Sequence, residues 1–224
     1  MTAGELLARA PGLSLRRDAQ GLTLVGKGVE LRGDFARMKP RLRPNALGAE
    51  ALVRAAKIKT CGSEPLAIDA TAGLGEDALL LAAAGFRVIL YEYNPVIAAL
   101  LDDALTRARQ DATLSAAVAR MELRQQDSIP ALAQSAQLPD VVLLDPMFPA
   151  RQKSGQIKKK FQLLQQLEPP CATEAALLEA AFLAQPEKIL VKRPAKASPL
   201  AARRPSYTVP AGNVRIDCYV PKRA

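Results

Sequence analysis

The sequence predicts an α/β fold built on a doubly wound, mostly parallel sheet, and two observations carry that reading. From residue 66 onward, short apolar runs alternate with helical stretches. The first of those runs feeds directly into a small-residue loop, Ala70-Thr71-Ala72-Gly73-Leu74-Gly75, that opens a helix. In chain order, Leu13 to Arg17 and Leu22 to Val25 alternate apolar and polar residues around Asp18-Ala19-Gln20-Gly21, a hairpin extended by Val29 to Leu31. With the basic stretch after it, this hairpin reads as a small N-terminal β lobe and linker, 1–43, ahead of a main domain, 44–224. A helix follows from Ala46 to Lys57, then strand 66–70, helix 76–84, strand 87–91 and helix 95–109. Strand 121–124, a short helix near 129–135 and strand 140–144 come next, with helices inside 155–184 and strand 188–192. Ser206 to Val209 and Asn213 to Val220 flank Pro210-Ala211-Gly212 and read as a closing hairpin.

Composition narrows the function classes. A chain of 224 residues that is 49% hydrophobic buries one substantial core and a small appendage. A net charge of +9 points to a polyanionic partner, nucleic acid first. The cations cluster: Arg37, Lys39, Arg41 and Arg43 precede the core, and Arg151, Lys153, Lys158, Lys159 and Lys160 follow the fourth core strand. Lys192-Arg193 with Lys196, Arg203 and Arg204 form a third group. Aromatic content of 4% argues against a stacking platform for long single strands, so recognition leans on phosphates and one extruded base. Histidine is absent, which removes His triads, His metal sites and the commonest general base and leaves carboxylates and backbone as catalytic groups. Cys61, Cys171 and Cys218 have no metal-type spacing, so no metal is expected. Reduced thiols, no signal-like amino terminus and no long apolar window predict a cytoplasmic protein without a membrane partner.

Four strand ends carry the chemistry. At the first, the loop glycines let the backbone approach a ligand, and the helix amino terminus that follows offers free N–H groups to an anion. Gly73-x-Gly75-x-x-Ala78 also satisfies the relaxed dinucleotide fingerprint, so the glycines alone leave a nicotinamide oxidoreductase and a methyltransferase both open. Asp69 discriminates: a carboxylate there repels pyrophosphate and attracts the ammonium and sulfonium of S-adenosylmethionine. At the second strand end, Glu92 is placed to accept both hydroxyls of a ribose, with Tyr93 beside the adenine. At the third, Asp127-Ser128 could hold the adenine edge and would serve equally as a helix cap. At the fourth, Asp145-Pro146-Met147-Phe148 sets a carboxylate, a carbonyl and an aromatic ring around a planar amine: acceptors for its NH2 and a face on which a flipped base stacks. Taken alone, those four residues read equally as a strand ending in a Pro turn.

In this order the loops resemble a known family. The segment from Asp69 to Asp77, Glu92-Tyr93-Asn94-Pro95, Leu144-Asp145-Pro146-Met147-Phe148-Pro149 and Val191-Lys192-Arg193-Pro194 are similar to the RsmJ family of bacterial 16S ribosomal RNA guanine-N2 methyltransferases, over most of residues 44–222. The chain departs from it at Glu76 and Tyr93, where the family commonly carries Arg. The resemblance implies a Rossmann-like class I S-adenosylmethionine-dependent methyltransferase fold, with the terminal hairpin adding an antiparallel strand. It implies catalytic roles for Asp145, Pro146 and Phe148, and a cofactor site made of Asp69, Thr71, Gly73, Gly75, Glu76, Asp77, Glu92, Tyr93, Asp127, Ser128 and Asp145. RNA contacts are expected from Lys39, Arg41, Arg43, Lys153, Lys158, Lys159, Lys160, Lys192 and Arg193. The implied substrate is a guanosine near the 3′ end of 16S ribosomal RNA in the small subunit. An amino-group methyltransferase acting on DNA adenine or protein glutamine is the alternative, since the tetrad recognises an NH2 and no particular scaffold.

Overall fold

The computed structural model describes residues 2–26, 28–58, 64–135, 137–146, 163, 167 and 174–221. Its centre is a seven-stranded sheet: β4 (Leu66–Asp69), β5 (Arg87–Tyr91), β6 (Met121–Arg124), β7 (Val141–Leu144), β8 (Lys188–Pro194), β9 (Tyr207–Ala211) and β10 (Val214–Tyr219). Across the sheet the order is β6-β5-β4-β7-β8-β10-β9, and the neighbours from β6 through β8 pair in parallel. The closing hairpin supplies β10, which lies antiparallel between β8 and β9. β4 and β7 are buried at every position, as a parallel sheet covered on both faces requires.

Alternation along the strands divides the core. Ala67, Val88, Leu90, Val141, Leu143 and Leu190 face one layer, packed under α3 (Ala51–Ala56), α4 (Glu76–Ala83) and part of α5 (Pro95–Arg109). Ile68, Ile89, Val142, Leu144, Ile189 and Val191 face the other, covered by α7 (Ser128–Ala133) and α8 (Glu174–Leu183). α5 starts where the sequence says it should: Asn94 caps it by accepting from the N–H groups of Val96 and Ile97, and Pro95 occupies its first turn. No helix among the described residues is long and apolar enough to cross a membrane.

The N-terminal strands β1 (Leu13–Asp18), β2 (Gly21–Gly26) and β3 (Val29–Leu31) form a separate antiparallel sheet, with Leu13 opposite Gly26 and Asp18 opposite Gly21 across the expected hairpin. It is docked on the main body: Leu13, Leu24 and Leu31 share a cluster with Val96, Ile97 and Leu100 of α5. Asp103 of α5 clamps it further, accepting from Arg17 Nη1 at 2.7 Å, Leu22 N at 3.0 Å and its own neighbour Arg107 Nε at 2.8 Å. The basic stretch read as a linker is a 3-10 helix, Phe35–Leu42, whose Phe35 and Met38 enter the main core.

The helix expected over 46–57 is broken. α2 (Pro44–Ala49) and α3 are separated at Glu50, which is extended at φ −61°, ψ 127°. Glu50 there receives both Nε and Nη2 of Arg41 at 2.6 and 2.9 Å, and α3 turns Leu52, Val53, Ala55 and Ala56 inward while α2 buries nothing. No Gly or Pro at position 50 announces the break. Two further helices escape the periodicity of the sequence, α1 (Ala3–Ala8) and α6 (Ser115–Val118). The first carries a visible signal, the Thr2-x-x-Glu5 capping box.

Candidate functional site

The chain runs from β4 outward to β5 and β6, then returns to place β7 on the other side of β4. In an open α/β sheet that reversal opens a crevice at the carboxyl ends of the central strands. Into it the β4 loop turns sharply. Gly75 takes φ +77° at the start of α4, where any other residue is strained, and a Cβ there would also displace Leu101 Cδ1 at 2.7 Å. Gly73, at φ +54°, keeps its backbone open.

Carboxylates dominate the crevice. Asp69 is 2% exposed, and its Oδ1 accepts from Thr71 N at 3.1 Å. Burial, reinforced by the charges of Asp77 and Asp145, pushes its carboxyl up to about 7. Thr71 in turn joins the two central loops, its Oγ1 accepting from Asp145 N at 2.6 Å. Glu92, buried at the tip of β5, closes the glycine loop, with Oε2 accepting from Gly73 N at 3.0 Å and Oε1 from Asn94 N at 2.8 Å. Asp77, in the first turn of α4, receives Lys192 Nζ at 2.6 Å, and the same ammonium lies 3.1 Å from Asp145 Oδ2. Thus Asp69, Thr71, Asp77 and Asp145 are linked through one another and Lys192, while Glu92 joins Gly73 of the same β4 loop to Asn94 beside them. Pro146 is buried beside it, and Glu76 is exposed at its edge.

Other predicted residues fall differently. Tyr93 is 53% exposed at the rim. Asp127 caps α7 through Ile129 N at 2.9 Å, and Ser128 is buried in the first turn of that helix. Phe148, Lys153, Lys158, Lys159 and Lys160 lie outside the described residues. Of the basic clusters, Lys39 is paired with Asp111 at 2.6 Å and Arg41 with Glu50, while Arg43 is exposed. Lys192 and Arg193, expected to contact RNA, both have acidic partners within the fold. Lys192 joins the carboxylates just described, and Arg193, with an 8% exposed side chain, donates to Ser198 O at 3.0 Å and pairs with Glu174 at 3.3 Å. Sequence reasoning therefore missed Lys192 as a member of the crevice. Its signal was position: it follows the apolar run Ile189 to Val191 as Asp145 follows Val141 to Leu144.

Comparison with known proteins gives the same answer from three directions. Residues 6–221 match a family model described as "Putative SAM-dependent methyltransferase". The chain is 41% identical to the ribosomal RNA small subunit methyltransferase J of Thioalkalivibrio sulfidiphilus, over 93% of this chain and 84% of that protein. It is likewise 41% identical to the protein of the same name from Alkalilimnicola ehrlichii, over 93% of this chain and 83% of the relative. Among solved structures, a SAM-dependent methyltransferase from Neisseria gonorrhoeae superposes with a TM-score of 0.73 at 27% identity, covering 99% of this chain and 92% of that one.

Proposed function

The chain belongs to the ribosomal RNA small subunit methyltransferase J family, and on that premise we propose that it methylates the exocyclic N2 of a guanosine near the 3′ end of 16S ribosomal RNA in the small ribosomal subunit. It is a methyltransferase of the class that uses S-adenosylmethionine, which supplies an electrophilic methyl group on a sulfonium. The observation that carries the substrate reading is the position of Asp145 at the end of β7, where its backbone N–H donates to Thr71 Oγ1 of the β4 loop and its carboxylate meets Lys192.

The residues at the strand ends fit that cofactor. Asp69 is buried among carboxylates and has its carboxyl pushed up to about 7, so an arriving ammonium relieves a cost the folded chain already bears. Glu92 is anchored by two backbone N–H groups with its carboxylate in the crevice, an arrangement suited to a ribose diol. Thr71, Gly73, Gly75, Glu76 and Asp77 form the loop around the ligand's polar end, and Tyr93, Asp127 and Ser128 border the adenine.

On the substrate side, the guanine amine is a weak nucleophile because its lone pair is delocalised into the ring. Asp145 and the Pro146 carbonyl accept its hydrogens, favour the pyramidal amine and aim its lone pair at the methyl group. Phe148 stacks on the extruded base, and cations of the flanking segments, Arg43 and Lys153 to Lys160, hold phosphates. Such a substrate puts the enzyme in the cytoplasm. The test is incubation with labelled S-adenosylmethionine and small-subunit particles from cells lacking the enzyme, followed by digestion and nucleoside analysis. Label in N2-methylguanosine is expected; label in another nucleoside, or none, overturns the reading.

A further inference from the structure

Asp145 and Lys192 leave adjacent strands at the same level. Leu144 of β7 is paired with Val191 of β8, and the next residue on each strand turns to the face that α4 covers. Asp77, in the first turn of α4, completes the group, so one ammonium bridges a carboxylate on the cofactor side to a carboxylate on the substrate side. The Lys192 side chain is 29% exposed. Burial opposes its charge, but Asp77 and Asp145 outweigh burial and hold it protonated above the ordinary lysine range. Reaching outward for a phosphate would strip both carboxylates of this partner, a poor exchange in a half-buried crevice.

We propose that Lys192 is a positioning residue for methyl transfer: it locks the Asp145 carboxylate to the cofactor-side helix so that the acceptor for the substrate amine has one orientation. The inference rests on the reading of Asp145 as that acceptor. In the transfer the N2 lone pair forms the N–C bond, the C–S bond breaks with its electron pair going to sulfur, and N2 gives a proton to water. Lys192 stays protonated throughout and touches neither reacting atom.

The surroundings explain why a cation is needed. Asp69 from β4, Asp77 and Glu76 from α4 and Asp145 after β7 crowd one end of the sheet, and Glu50 between α2 and α3 also faces Lys192. Arg41 of the 3-10 helix feels Asp77 and Glu76 but is held by both oxygens of Glu50. Removing the Lys192 charge leaves Asp77 and Asp145 to repel one another and splay, and takes from Asp69 a cation that lowers its carboxyl.

The experiment compares the full-length Lys192→Met and Lys192→Arg variants with wild type in single-turnover methylation of small-subunit particles across the pH range, together with RNA affinity at several salt concentrations. Lys192→Met is expected to lose roughly a hundredfold in rate through misplacement of the acceptor. Its acid limb should move to higher pH by roughly one to three units. RNA affinity and its salt slope should match wild type, and Lys192→Arg should keep both the limb and most of the rate. An unshifted limb in Lys192→Met, or weaker RNA binding with a flatter salt slope, overturns the proposal and makes Lys192 a phosphate ligand. If Lys192→Met fails to fold, Lys192→Arg decides alone, since a shifted limb with the charge retained overturns it. Failure of wild type to label guanosine N2 would instead sink the Asp145 reading, which the same assay reports separately.

Discussion

Glu92 and Asp69 are both buried carboxylates, yet their partners differ, and so do the experiments that probe them. Glu92 accepts one backbone N–H on each oxygen, from Gly73 and Asn94, so it shapes the glycine loop in addition to its proposed contact with the ribose. Glu92→Ala is expected to weaken S-adenosylmethionine and its demethylated product about tenfold or more, since hydrogen bonds to a charged group contribute ~1.5 to 3 kcal/mol. Unchanged affinity by calorimetry would remove Glu92 from the residues that touch the ligand. Asp69 has a single backbone donor, and burial, Asp77 and Asp145 raise its carboxyl from 3.8 to about 7. The folded chain therefore holds a proton between those values that the unfolded chain has released. Its contribution to stability falls as pH rises through that window and is level above about 7. Binding a cationic ligand below about pH 7 should accordingly expel a proton from Asp69. Calorimetry in two buffers of different ionisation enthalpy measures that release, and Asp69→Asn should abolish it. Asp69, Glu92 and the Asp145-Pro146 pair were legible as strand-end residues because each follows an apolar run directly. The role of Lys192 was not, because a lysine reads as surface until its carboxylate partners are known.

Among the elements, α5 does two jobs: one side enters the main core and the other carries the N-terminal sheet. Asp103 is the polar clamp between them. Burial works against its charge, but the Leu22 N–H, Arg107 and Arg17 together hold its carboxyl below the usual range. That contribution is present above the ordinary carboxylate value and is lost as pH falls through the depressed one. Asp103→Ala should cost ~2 kcal/mol and should preferentially raise hydrogen exchange in β2. Equal protection of β2 in the variant would show that the apolar packing of Leu13, Leu24 and Leu31 suffices. Strands and α5 were predictable to within a few residues because a period of two or of 3.6 is a local property. The break at Glu50 was not, because it is made by Arg41 nine residues earlier and by the burial of α3 alone.

At the scale of the whole molecule, the question is how a chain of net charge +9 meets a polyanion. Several of its cations are engaged internally: Lys39 by Asp111, Arg41 by Glu50, Arg193 by Glu174 and Lys192 by two carboxylates. The residues proposed to bind RNA are therefore exposed ones such as Arg43, together with the lysines that follow Asp145 in sequence. Neutralising Lys158, Lys159 and Lys160 together should weaken RNA binding and flatten its salt dependence, by ~0.7 in log-log slope for each single-strand phosphate that is no longer neutralised. S-adenosylmethionine affinity should be unchanged; equal intercepts and parallel lines would move the phosphate-binding surface to the Arg43 side. The alternation of strands and helices, the glycine turn at the first strand end and the acidic residues at the second and fourth are local patterns, written in side-chain period and backbone freedom. Which charges face the solvent and which face each other is set by how the strands and helices pack. An ion pair is made between residues as distant as Asp77 and Lys192, and no local pattern encodes which carboxylate a given lysine will meet once the strands lie side by side.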